Sequence, residues 1–138
     1  MTIEELKIKA LAKELEIDTE EAEDIIESGD YMVLTDEEAD DLCAEYIEDS
    51  LWAFNANFIL SECGLDMSGA DSLRSMQEKS CESANDFILS LVEKTCGIES
   101  FIESAVAADG RGHFMSSYDG EEIECQIDGQ YLYIYRIN

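Results

Sequence analysis

Glu121-Glu122-Ile123-Glu124-Cys125-Gln126-Ile127-Asp128-Gly129-Gln130-Tyr131-Leu132-Tyr133-Ile134-Tyr135-Arg136-Ile137 decides the fold class of this chain. Asp128-Gly129 separates two alternating segments. A two-residue Asp-Gly loop favours a type I′ hairpin, because both central residues tolerate positive φ. Tyr131, Tyr133 and Tyr135 fall on one face of the second strand, Leu132 and Ile134 on the other. Both faces are therefore expected to be at least partly covered. A hairpin alone is marginal in water, so it needs helices to pack on, with Tyr31–Leu34 as a candidate third strand.

Working outward, the rest of the chain reads as helix. Ile3, Leu6, Ala10, Leu11 and Leu15 recur at a helical period. Asp18-Thr19 opens a second helix with Ala22, Ile25 and Ile26 inward and Glu20, Glu21, Asp24 and Glu27 outward, stopped at Ser28-Gly29-Asp30. Thr35 and Glu38 have capping-box spacing. From there Ala39, Leu42, Cys43, Tyr46, Ile47, Ser50, Leu51, Phe54 and Phe58 trace one stripe, which predicts a long helix ending near Gly64. Further helices are expected at Leu73–Glu78, at Ala84–Lys94 with Phe87, Ile88, Leu91 and Val92 inward, and at Ile98–Ala107. Asp109–Gly120, with three glycines, reads as a loop. The expected architecture is α+β: five or six helices with a small antiparallel sheet, one domain over residues 1–138, of a length that buries a substantial core.

The charge is unevenly placed. Between Glu14 and Leu73 there are twenty carboxylates and no lysine or arginine, and the whole chain carries −26. Residues 1–50 hold three bases against nineteen acids. Carboxylates repel phosphates, so direct contact with nucleic acid or an anionic membrane is disfavoured. No apolar run is long enough to span a bilayer, and the first residues lack a secretory signature. The five cysteines, Cys43, Cys63, Cys81, Cys96 and Cys125, form no short ligand pair. They read as reduced thiols, with Cys43, Cys81 and Cys96 on apolar or helical stretches, in a cytoplasmic protein. The acid-rich stretches do not match a calcium loop, and neither a metal nor another cofactor is expected.

Four stretches carry a likeness. They are Val33-Leu34-Thr35-Asp36-Glu37-Glu38-Ala39-Asp40, Ser50-Leu51-Trp52-Ala53-Phe54-Asn55, Ala108–Phe114 continuing through Ser116–Glu122, and Tyr133-Ile134-Tyr135-Arg136-Ile137-Asn138. Together they resemble a family of small proteins encoded by tailed bacteriophages. No activity is known for that family, so the resemblance implies no catalytic or binding residue. It implies a setting: a phage product acting inside a bacterium.

A wet surface is ordinarily made with interspersed signs, which avoid self-repulsion. Salt adaptation also enriches acids, but twenty-one Glu against thirteen Asp and five cysteines fit it poorly. Helical carboxylates three and four apart lie about 5–6 Å from one another, a row of negative charge resembling that of a nucleic-acid strand. The expected function is therefore inhibition of a basic-surfaced host protein that binds nucleic acid, of anti-restriction, anti-CRISPR or repair-inhibitor type. The contributing residues are Glu20, Glu21, Asp24, Glu27, Glu37, Asp41, Glu45, Glu48 and Asp49.

The alternative is a non-inhibitory phage adaptor or assembly protein using apolar surface, with Trp52 a possible anchor if exposed. An enzyme would centre on Asp109-Gly110-Arg111-Gly112-His113, with Ser116 and Ser117 nearby, but no nucleophile motif accompanies it. The preferred reading there is a tight loop whose Arg111 pairs with nearby carboxylates. No catalytic residue is expected, and the oligomeric state is left open.

Overall fold

Asp128 (φ 49°) and Gly129 (φ 81°) take the two positive-φ positions of the hairpin turn. They join strands β2 (Ile123–Ile127) and β3 (Gln130–Arg136). A computed structural model describes all of residues 1–138. β1 (Tyr31–Leu34) pairs antiparallel with the other side of β3, Val33 opposite Ile134, so the sheet order is β1-β3-β2. The helices are α1 (Ile3–Leu15), α2 (Thr19–Ser28), α3 (Asp36–Asp49), α4 (Ala56–Glu62), α5 (Ala70–Ser80), α6 (Asn85–Lys94), α7 (Ile98–Asp109) and the five-residue α8 (Arg111–Met115). The fold is α+β. It contains seven helices of at least seven residues, one more than the upper expectation, because the long helix is broken.

The chain divides into two compact units: Met1–Cys43 with Asp109–Asn138, and Ala44–Ala108. In the first, α1 contributes Leu6, Ala10, Leu11 and Ala12 to a core completed by Ala22, Val33, Cys125, Leu132 and Ile134. This is the Leu132/Ile134 face of β3. Each fully buried Leu or Ile there contributes about 1.5–3 kcal/mol. Thr2 and Asp18 accept hydrogen bonds from the Glu5 and Glu21 amides and so cap α1 and α2.

The second unit corrects three expectations. The stripe running through Phe58 is not one helix. α3 ends at Asp49, Leu51–Ala53 form a 3₁₀ turn, and the Asn55 side chain accepts from the Asn57 and Phe58 amides to start α4. The break persists because its backbone groups have partners. Asn85 Nδ2 donates to the Glu48 carbonyl (2.9 Å) while its Oδ1 accepts from the Trp52 amide (3.1 Å). Gln77 Nε2 donates to the Trp52 and Phe54 carbonyls (2.9 and 2.7 Å). Phe54, Phe58 and Phe101 then pack as an aromatic cluster, with centroids 5.2–5.9 Å apart.

Phe87 is 58% exposed rather than inward, since α6 turns Ile88 and Val92 to the interior, in line with Ala84 just before it. Cys81 is exposed rather than a small core hydrophobe, whereas Cys43, Cys63 and Cys125 are buried and all five are free thiols. In the first unit, Asp109–Gly120 is likewise not all loop. α7 reaches Asp109, Gly110 (φ 84°) breaks the helix, and α8 follows.

Candidate functional site

α2 turns Ala22 fully inward with Ile25 and Ile26 partly covered. Glu20, Glu21, Asp24 and Glu27 stand exposed on its other side. Glu23, on the border of the apolar stripe, is exposed as well, although the spacing does not place it among the outward residues. α3 begins with the expected capping box: the Thr35 amide donates to Glu38 Oε1 (3.0 Å) and the Glu38 amide to Thr35 Oγ1 (3.2 Å). That start fixes the helical phase. Ala39, Cys43 and Ile47 are buried, while Glu37, Asp41, Glu45 and Asp49 recur every fourth residue on the opposite side, all exposed. Glu48 is half-buried. Glu45, Glu48 and Asp49 fall in the second unit, and the other six in the first.

None of these nine carboxylates lies within ion-pair distance of a lysine, arginine or histidine. The cations of the first unit that form ion pairs are engaged elsewhere. Lys7 pairs with Glu38 at 3.0 Å and reaches Glu4 at 3.8 Å. The Thr35 amide, with help from Lys7, holds the Glu38 carboxyl below its ordinary range. Arg111, its side chain only 11% exposed, is the main internal counter-charge. Its Nη1 sits 2.8 Å from both Asp36 Oδ1 and Asp40 Oδ1. Its Nε and Nη2 form a two-point contact with Glu122 at 3.2 and 2.6 Å. Its Cζ lies 4.6 Å from the centre of the Tyr133 ring.

This is the pairing of Arg111 with carboxylates that the sequence suggested, although two of the three partners lie far back in the chain. Gly112 lets the segment close: a Cβ there would fall 2.7 Å from backbone atoms of Gly120, Glu121 and Glu122. Beneath the network, burial pushes the Cys43 thiol up to about 11 and raises the Tyr135 phenol. The Tyr135 hydroxyl is buried without a hydrogen-bond partner.

The remaining sequence candidates stay dispersed. His113 is exposed, its ring edge-on to Phe114. The Ser116 hydroxyl is buried within hydrogen-bond reach of Asp119 Oδ1 (2.7 Å) and the Arg136 carbonyl (2.6 Å), and Ser117 donates to the Ile137 carbonyl. Trp52 is half-buried on the wall of an open groove of about 300 Å³ that also includes Phe54, Arg74, Gln77 and Cys81. No cluster of three or more His, Cys, Asp or Glu side chains has metal-holding geometry. No helix is long and apolar enough to cross a membrane. Compared with known proteins, the chain matches no family model, no curated sequence and no solved structure.

Proposed function

We propose that this protein is an acidic inhibitor that imitates nucleic acid, produced by a phage in the bacterial cytoplasm. It occludes the basic groove of a host restriction, CRISPR or repair protein. The observation that supports this most is the set of nine carboxylates on α2 and α3 that no internal cation neutralises. A carboxylate already paired with arginine offers a partner little, while an unpaired, hydrated one keeps its whole field. Rows of such groups about 5–6 Å apart give a basic groove repeated contacts, and the net charge steers the encounter. The resemblance to phage proteins supplies the host setting.

The test is capture from bacterial lysate on the immobilised protein, eluted along a salt gradient. A parallel column carries a variant with Glu20, Glu21, Asp24, Glu27, Glu37, Asp41, Glu45, Glu48 and Asp49 all changed to Lys. The expected result is a nucleic-acid-binding protein that elutes as salt rises and is missing from the variant column, with helical circular dichroism unchanged. Capture that survives the reversal would sink the proposal.

The second reading, an adaptor or assembly protein docking through apolar surface, has the exposure of Phe87, Met67 and Leu65 in its favour. It predicts a partner of phage origin held with little dependence on salt.

A further inference from the structure

We infer that the open face of the β2–β3 hairpin docks an arginine side chain of the basic partner, with the Tyr131 ring as platform and Glu124 as its carboxylate. The inference rests on the proposed reading that the partner is basic.

Tyr135, Tyr133 and Tyr131 step outward along one face of β3, about 7 Å per step. Tyr135 is buried, Tyr133 is half-buried beneath the Arg111 guanidinium, and Tyr131 is 49% exposed. None of the aromatic–guanidinium contacts within the chain involves Tyr131. The strand register sets Gln126 opposite Tyr131 and Glu124 opposite Tyr133, so Glu124 is the diagonal neighbour of Tyr131. Diagonal cross-strand positions are within reach of long side chains. Glu124, Gln126 and the turn residue Asp128 are all exposed.

Charge complementarity selects the occupant. Between Arg111 and Arg136 the chain has five carboxylates and no lysine or arginine, and the guanidinium that lies on this face, that of Arg111 over Tyr133, is already held by Asp36, Asp40 and Glu122. Geometry then narrows the cation to a guanidinium. Two of the chain's three arginines stack on tyrosine: Arg111 on Tyr133, and Arg136 on Tyr118 at 3.7 Å. At Tyr133 the stacked guanidinium also meets carboxylates at its edge. Tyr131 with Glu124 repeats that combination one step further out. A planar guanidinium stacks and accepts a carboxylate at its edge at the same time, whereas a lysine ammonium is a strongly hydrated point charge.

The test compares octa-arginine and octalysine peptides by calorimetry at one ionic strength, on the wild-type chain, Tyr131→Leu and Tyr131→Phe. Leucine keeps apolar bulk but removes the ring at a half-exposed position. Both peptides are expected to bind in a salt-dependent way. The ratio of arginine to lysine affinity should fall about two- to fivefold in Tyr131→Leu and hold in Tyr131→Phe. An unchanged ratio in Tyr131→Leu overturns the docking site while leaving the acidic-surface reading standing. Failure of both peptides to bind the wild-type chain overturns both.

Discussion

Asp36 and Asp40 share a helix with Glu37 and Asp41, one residue away in each case, yet the two pairs serve opposite ends. Asp36 and Asp40 lie 2.8 Å from Arg111 and help fasten α3 to α8. Glu37 and Asp41 face water with no cation in reach. A step of one residue turns a side chain by about 100° around the helix axis, and that rotation alone separates a structural charge from a displayed one. An acidic run therefore cannot be judged by its density. What matters is which members the fold has already neutralised.

The comparison is broken most forcefully at Arg111. Arg111→Met keeps the bulk of the side chain but leaves the partly buried Glu122 without its partner and Asp36 and Asp40 without their counter-charge. Breaking an ion pair by removing one member costs up to 3–5 kcal/mol when both are buried. With the two aspartates largely hydrated, a loss of about 3 kcal/mol, the low end of that range, is expected from urea unfolding curves. A loss below about 1 kcal/mol would show that the carboxylates bound to Arg111 are as dispensable as unpaired ones.

Glu38 tests the same division through pH. Its carboxyl is held below the ordinary glutamate range, first by the Thr35 amide and then by Lys7. A depressed pKa adds stability that is present above the unfolded value and lost as pH falls through the folded value. Glu38→Gln keeps the capping acceptor and removes the charge. It should cost less than about 1 kcal/mol at neutral pH, and that gap to wild type should close towards about pH 3. A gap that widens in acid would contradict the assignment.

The smallest effect is expected on the displayed side. Asp41→Asn relieves like-charge contacts with Glu37 and Glu45 and should stabilise the fold by about 0.2–0.5 kcal/mol per pair. The same change should weaken binding to a cationic peptide. A destabilised Asp41→Asn would mean that this stripe has a structural partner after all.

Much of the architecture was legible because its signals are local. Asp128-Gly129 specifies its turn through backbone sterics, Thr35 and Glu38 exchange hydrogen bonds three residues apart, and strand alternation sets which face of β3 meets α1. The break after α3 was hidden. The apolar stripe runs through Ser50–Phe54 without interruption, and the groups that stabilise the break sit on Asn85 and Gln77, 33 and 25 residues from Trp52. Phe87 misled for a related reason: periodicity marks an apolar sector, but packing decides which edge of it is covered. Of the candidate surface, the outward sides of α2 and α3 could be drawn from spacing. Which acids were free could not, because the Arg111 partners on α3 lie more than 70 residues away.

The sequence by itself determined the secondary-structure types, the hairpin with its turn, and an excess of negative charge without nearby bases. These follow from steric preference, periodicity and charge count, which act over a few residues. Only the tertiary structure decided where the predicted long helix stops and which carboxylates Arg111 neutralises. Those outcomes depend on hydrogen bonds and ion pairs between distant segments, which exist only once the chain has closed on itself.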